Sequence, residues 1–64
     1  MKRKDLVKYL LENGCKKIRE GARHSVFLNS STNNTSTVPR HNEIDNNLAK
    51  KICKDLGIKI INKK

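Results

Sequence analysis

His24 lies within residues 21–28, where a turn gives way to the most apolar stretch of the chain, and is one of two histidines. An imidazole exchanges a proton near neutral pH, so it can act as a general base or acid. Arg23 precedes it, and a guanidinium can hold two oxygens of one phosphate. With 15 lysines and arginines against 6 acidic residues, the net charge is +9. These features predict acid–base chemistry on a large anion, and nucleic acid fits best.

The other polar residues restrict the kind of reaction. Acidic side chains are few and scattered, and no phosphate-binding glycine loop is present, so we expect neither a metal nor a cofactor. Histidine, arginine and lysine are sufficient for RNA cleavage, in which the substrate's 2′-hydroxyl attacks the adjacent phosphodiester. His24 would be the general base, and Arg23 or Arg40 would hold the phosphate. His41 and nearby lysines are candidates for the general acid.

Several of these residues also have a purely structural interpretation. A single histidine beside apolar strand residues is more often structural than catalytic, and Arg40 and His41 could belong to a solvated loop. The lysines of the second helix could form a solvated face. Two other functions therefore stay open: a non-catalytic RNA-binding module, and an interaction domain that pairs with an acidic protein. The candidate RNA-binding residues are Arg23, Arg40, His41, Lys50 and Lys51.

Apolar residues at helical spacing predict two helices. The first is expected at about residues 3–12, with Gly14 as the left-handed residue that ends it. The second is expected to begin at Asp45 or Asn46, which are good N-caps, and to end before Gly57.

Three short strands are predicted between the helices, in an antiparallel meander. They are expected at residues 15–20, 23–29 and 35–38. Pro39 cannot donate a ladder hydrogen bond, so it marks the end or the edge of the third strand. Residues 58–64 could form either a tail or a short fourth strand.

Strand alternation leaves the environment of His24 open. It places His24 with Val26 and Leu28 on one face of the second strand, and Ser25 and Phe27 on the other. This parity could bury His24 against the helices. It could also place His24 at the first position of the strand, past the rim of the core, and the preceding Gly21-Ala22 turn favours the rim.

Each helix has one apolar stripe, so we expect an α+β fold with both helices on one face of a three-stranded antiparallel sheet. A chain of 64 residues is expected to form one domain, over residues 1–64, with a thin core and a shallow site. No long apolar run follows the basic N-terminus, so we expect a cytoplasmic protein without a membrane partner. Cys15 and Cys53 would then be free thiols.

Four parts of the chain form a more specific pattern: Gly21, His24 to Phe27, Val38 to Ile44, and Leu48 to Ile58. This pattern resembles the HicA family of bacterial toxins. The resemblance implies a fold similar to the double-stranded RNA-binding domain, an mRNA interferase that needs no metal, and a HicB-type antitoxin that covers the active site. It places the family's catalytic histidine at His24. Many members read Gly-Ser-His here, whereas this chain has Ala22 and Arg23 between Gly21 and His24.

Overall fold

The computed structural model describes residues 1–61, whose elements follow the order α-β-β-β-α. The predicted α+β order is confirmed, and the bounds differ from the predicted ones by no more than one residue. Helices α1 and α2 span Arg3–Glu12 and Asn46–Leu56, and strands β1, β2 and β3 span Cys15–Glu20, His24–Asn29 and Asn34–Pro39.

Helix α2 begins where the sequence predicts, and both helices end where it predicts. Asp45 caps α2, because its carboxylate accepts hydrogen bonds from the backbone N–H groups of Asn47 at 3.0 Å and Leu48 at 3.3 Å. Gly14 follows α1 with φ 84°, and Gly57 follows α2 with φ 72°. Glycine adopts this left-handed conformation without the steric cost that a Cβ would bring.

The strands form one antiparallel sheet in the order β1-β2-β3, with β2 in the centre. His24 pairs with Pro39, so the first residue of β2 lies beside the last residue of the edge strand β3. Pro39 therefore stands at both a strand end and a sheet edge, as predicted. In β1 the register shifts between Lys17 and Arg19, which leaves Ile18 without a partner.

Both helices pack on one face of the sheet, which we call the helix-covered face. Ser25, Phe27 and Asn29 of β2 are buried there. The Ser25 Oγ accepts a hydrogen bond from Arg3 Nη2 of α1 at 3.0 Å, and Asn29 Nδ2 donates to the Leu56 carbonyl of α2 at 2.8 Å. These two contacts place α1 and α2 on the same side, in agreement with the predicted fold.

The alternate residues of β2 point to the opposite side, which we call the open face. Neither α1 nor α2 covers it. Val26 and Leu28 are half-buried there, and His24 is exposed at the first position of the strand. The structure thus decides the question left open by strand parity, because His24 lies outside the core.

The core fills the space between the helices and the sheet. Cys15 and Cys53 are both buried in it as free thiols. Its buried apolar residues are Leu6, Leu10, Cys15, Phe27, Val38, Ile44, Ala49, Ile52, Cys53 and Leu56.

The segment after α2 forms no strand over residues 58–61. Ile58 and Ile61 pack against the core, and the Tyr9 hydroxyl donates a hydrogen bond to the Lys59 carbonyl at 2.8 Å. The rest of this segment, residues 62–64, lies outside the described residues.

Candidate functional site

A shallow cleft of about 440 Å³ opens where β2 begins and β3 ends, and we call it the His24 cleft. The pairing of His24 with Pro39 brings these two strand ends together. Four of the six candidate site residues, His24, Arg23, Arg40 and His41, therefore line one cleft, together with Ala22.

Hydrogen bonds fix the two segments that form this cleft. The Gly21 N–H donates to the His24 carbonyl at 2.8 Å and closes the turn between β1 and β2. The Arg40 N–H donates to the Arg23 carbonyl at 3.0 Å, and Arg40 Nη1 donates to the Gly21 carbonyl at 3.2 Å. The turn and the segment after β3 are thus tied to each other, which limits their relative movement.

Arg3 of α1 supports the cleft from the helix-covered face. Its Nε donates to the Pro39 carbonyl at 2.9 Å, and its Nη2 donates to Ser25 Oγ at 3.0 Å. Ser25 is fully buried and adjoins His24, while Pro39 precedes Arg40. One guanidinium therefore holds the neighbours of two cleft residues.

Arg3 is not among the site residues predicted from the sequence. The available signal was a cation in the first turn of a helix, where the helix dipole disfavours positive charge. Such a residue is better explained by tertiary partners than by local helix stability. The backbone adds to this support, because the Arg3 N–H donates to the Asn42 carbonyl at 2.8 Å and the Ile44 N–H donates to the Met1 carbonyl at 2.8 Å. The segment that carries Arg40 and His41 is therefore held beside the start of α1.

Glu20 places a negative charge at the edge of the cleft. Its carboxylate accepts a hydrogen bond from Lys17, and its Oε2 lies 3.8 Å from Arg40 Nη1. The hydrogen bond from Lys17, followed by the charges of Lys17 and Arg40, holds the pKa of Glu20 below its ordinary value of 4.5. Glu20 is therefore ionised at neutral pH. A phosphate bound at Arg40 would share the guanidinium with this carboxylate.

The other two candidate residues, Lys50 and Lys51, do not line the cleft. Both are exposed on α2, and Lys51 Nζ lies 3.0 Å from Asp55 Oδ2. Because α2 packs on the helix-covered face, these lysines lie on the opposite side of the sheet from His24.

The cleft thus combines two imidazoles, which can exchange protons, with two guanidiniums, which can bind an anion. Within residues 1–61 no group of three or more His, Cys, Asp or Glu side chains is arranged to hold a metal ion. None of the helices in this described part is long and apolar enough to cross a membrane.

Comparison with known proteins assigns the chain to a family. No curated protein and no solved structure matches the chain. One family model, described as HicA toxin of bacterial toxin-antitoxin, matches residues 3–58. That range contains both helices, all three strands and every residue of the His24 cleft. The chain belongs to the HicA family of toxins.

Proposed function

We propose that this HicA toxin is an endoribonuclease, an mRNA interferase that cleaves mRNA without a metal and so inhibits translation and growth. The observation that carries the proposal is the exposed His24 side chain in a cleft shared with Arg23, Arg40 and His41. An open site of this kind suits a polymeric substrate, and the net charge of +9 attracts a polyanion.

In the proposed reaction His24 acts as the general base. Its neutral imidazole takes the proton from a 2′-hydroxyl, and the resulting oxygen attacks the adjacent phosphorus. The bond from phosphorus to the 5′ oxygen breaks, which leaves a 2′,3′-cyclic phosphate on one product. A general acid returns a proton to the departing 5′ oxygen, which becomes a hydroxyl. His41 is the candidate acid, because it lines the same cleft.

Arg23 and Arg40 are the proposed phosphate-binding residues. Negative charge on the phosphate oxygens rises as the 2′ oxygen attacks, and fixed cations stabilise that charge. Arg40 is held by the Gly21 carbonyl and by Glu20, so its guanidinium is already oriented at the cleft. Arg23 adjoins His24 in the chain, in the place where many family members carry serine.

The His24→Ala variant tests the proposal. Purified protein is incubated with single-stranded RNA in EDTA, and the cut ends are identified. We expect the cleavage rate to fall by at least about 100-fold, since the general base is lost. The thermal unfolding midpoint should stay near that of wild type, because His24 is exposed. A His24→Ala protein that cuts RNA at the original rate would refute this mechanism.

His41→Ala is the matched comparison, because it removes the other imidazole of the cleft. If His41 is the general acid, its loss slows cleavage and removes one limb of the pH–rate profile. If a lysine supplies the proton, His41→Ala retains the wild-type profile.

A non-catalytic RNA-binding module is the second candidate function. The α-β-β-β-α fold and the high positive charge favour it, since modules of the double-stranded RNA-binding class recognise the shape and backbone of RNA. The same EDTA incubation separates the two functions. Intact RNA in a salt-sensitive complex supports the module, whereas products with cyclic phosphate ends support the enzyme.

A toxin of this family implies an antitoxin partner, and we propose that the partner is a HicB-type protein that covers the His24 cleft. The cleft is shallow, so occupying it would exclude RNA without a conformational change. Complementary charge would mainly accelerate the association. An antitoxin complex that still cleaves RNA would argue against this mode of inhibition.

A further inference from the structure

The open face carries features that the His24 cleft does not use. The sheet register places six side chains on it beyond the strand end: Lys16, Arg19, Val26, Leu28, Thr35 and Thr37. Lys16 pairs with Leu28, and Arg19 pairs with Val26, so cationic and apolar side chains alternate across β1 and β2. From His24 to Leu28 this surface extends roughly 13 Å along β2.

His24 determines which side of the sheet a substrate must approach. On the helix-covered face, Ser25 forms a hydrogen bond with α1 and Asn29 forms one with α2, so the helices occupy that side of β2. His24 alternates with these residues and points to the other side. An RNA that presents a 2′-hydroxyl to His24 would therefore continue over the open face rather than over the helices.

The charges of the open face fit a polyanion. Lys16 and Arg19 are exposed, and no acidic residue of the described part stands in register on this face. Glu20 pairs with Ser25, which assigns it to the helix-covered side. Because Lys16 and Arg19 are the charged side chains that the register places on this face, RNA matches it better than a mixed-charge protein surface does.

The apolar residues favour unpaired bases. Val26 and Leu28 are half-buried and do not pack against the core, so part of their surface remains available for contact. A duplex presents mainly its phosphates and sugars to a protein, whereas a single strand also offers its base faces. A surface that offers both apolar contacts and positive charge therefore fits a single strand better than a duplex.

We propose that the open face is the docking surface for the single-stranded RNA next to the cleaved bond. Lys16 and Arg19 bind backbone phosphates, and Val26 and Leu28 contact bases. This inference rests on the proposed function, because it takes His24 as the point where the RNA is cut.

A binding experiment tests it without cleavage. The probe is a fluorescent 2′-O-methyl oligonucleotide, which lacks the attacking hydroxyl, and the dissociation constant is measured over a range of salt concentrations. The Lys16→Ala/Arg19→Ala variant should bind about tenfold more weakly and lower the slope of log affinity against log salt by about 1 to 1.5. Val26→Thr should weaken binding about threefold without changing the slope.

Two further double variants remove the same charge from the helices. Lys8→Ala/Lys54→Ala is the matched control, and we expect its dissociation constant to stay within about twofold of wild type. Lys50→Ala/Lys51→Ala tests the competing prediction that RNA lies along α2. If this variant weakens binding as much as Lys16→Ala/Arg19→Ala does, the RNA does not dock on the open face and the inference is wrong.

The inference is also wrong if Lys16→Ala/Arg19→Ala binds the probe like wild type. If that variant then loses affinity for the antitoxin instead, the open face is a protein interface. Failure of the proposed function gives a different result, because His24→Ala would cut ordinary RNA at the wild-type rate whatever the binding data show. Thermal unfolding of each variant excludes a folding defect as the cause of weak binding.

Discussion

The two faces of strand β2 differ in a way that polarity alone would not predict. On the helix-covered face, the polar residues Ser25 and Asn29 are buried, and both have hydrogen-bond partners on the helices. On the open face, the apolar residues Val26 and Leu28 are only half-buried. Buried polar groups are tolerated when they are hydrogen-bonded, so the helices rather than hydrophobicity decide which face is inside.

Residues important for stability and residues of the candidate site lie on different faces of β2. On the helix-covered face, Ser25 and Asn29 form hydrogen bonds with the helices and Phe27 belongs to the core, so changing these residues alters the packing of the domain. On the open face, Val26 and Leu28 are half-buried and His24 is exposed.

Phe27→Ala should give the largest effect on stability. Phe27 is fully buried in the core, and truncating a buried phenylalanine typically costs about 3 to 5 kcal/mol. Val26→Ala, one residue away on the open face, should cost about 1 kcal/mol or less. Urea unfolding monitored by circular dichroism measures the free energy of unfolding of both variants.

A domain of this size has little stability in reserve, so Phe27→Ala could prove largely unfolded. Phe27→Leu keeps most of the apolar volume and gives a measurable intermediate cost. Equal losses in Phe27→Leu and Val26→Ala would show that the open face contributes to stability as much as the core does.

Arg3→Ala should have an intermediate effect. The change removes hydrogen bonds to Pro39 and Ser25 and leaves the buried Ser25 hydroxyl without its donor. An unsatisfied buried polar group costs about 1 to 3 kcal/mol. Lys4→Ala, at an exposed position of the same helix, is the control and should stay within about 0.5 kcal/mol of wild type.

A double variant identifies the cause of that loss. Adding Ser25→Ala to Arg3→Ala removes the unsatisfied hydroxyl, so part of the lost free energy should return. If the losses in free energy of unfolding for Arg3→Ala and Ser25→Ala simply add in the double variant, the two side chains have no interaction free energy that stabilises the fold.

The elements of this fold could be predicted because their signals are local. Helical spacing located α1 and α2, and Asp45 and Gly57 marked the ends of α2 through backbone chemistry that depends on neighbouring residues only. Strand alternation correctly separated His24 from Ser25. It could not say which face meets the helices, since both faces of β2 carry apolar side chains.

The candidate site was predictable only in part, because it depends on contacts between residues that are distant in the sequence. His24 and Arg40 lie 16 residues apart, and the proximity of their segments depends on the pairing of β2 with β3. Arg3 and Glu20 were missed because their importance arises from contacts with other elements, namely Pro39 and Arg40. No local pattern in the sequence marks such partners.

Ionisation of Cys15 should have the smallest effect on the free energy of unfolding, and it is a direct probe of the helix-covered face. It pairs with Asn29 there, and burial, followed by the nearby Cys53 thiol, raises the pKa of Cys15 above its ordinary value of 9.0. The unfolded chain therefore loses this proton first as the pH rises. The free energy of unfolding should be unaffected by Cys15 below pH 9.0 and should fall above it, by at most about 1.4 kcal/mol per pH unit. In Cys53→Ala, where Cys15 is the one thiol left, the ultraviolet absorbance of the thiolate should rise at a higher pH in the folded protein than in concentrated guanidinium chloride. Coincident titration curves would show that water reaches Cys15 and that the helix-covered face is more accessible to solvent than its contacts indicate.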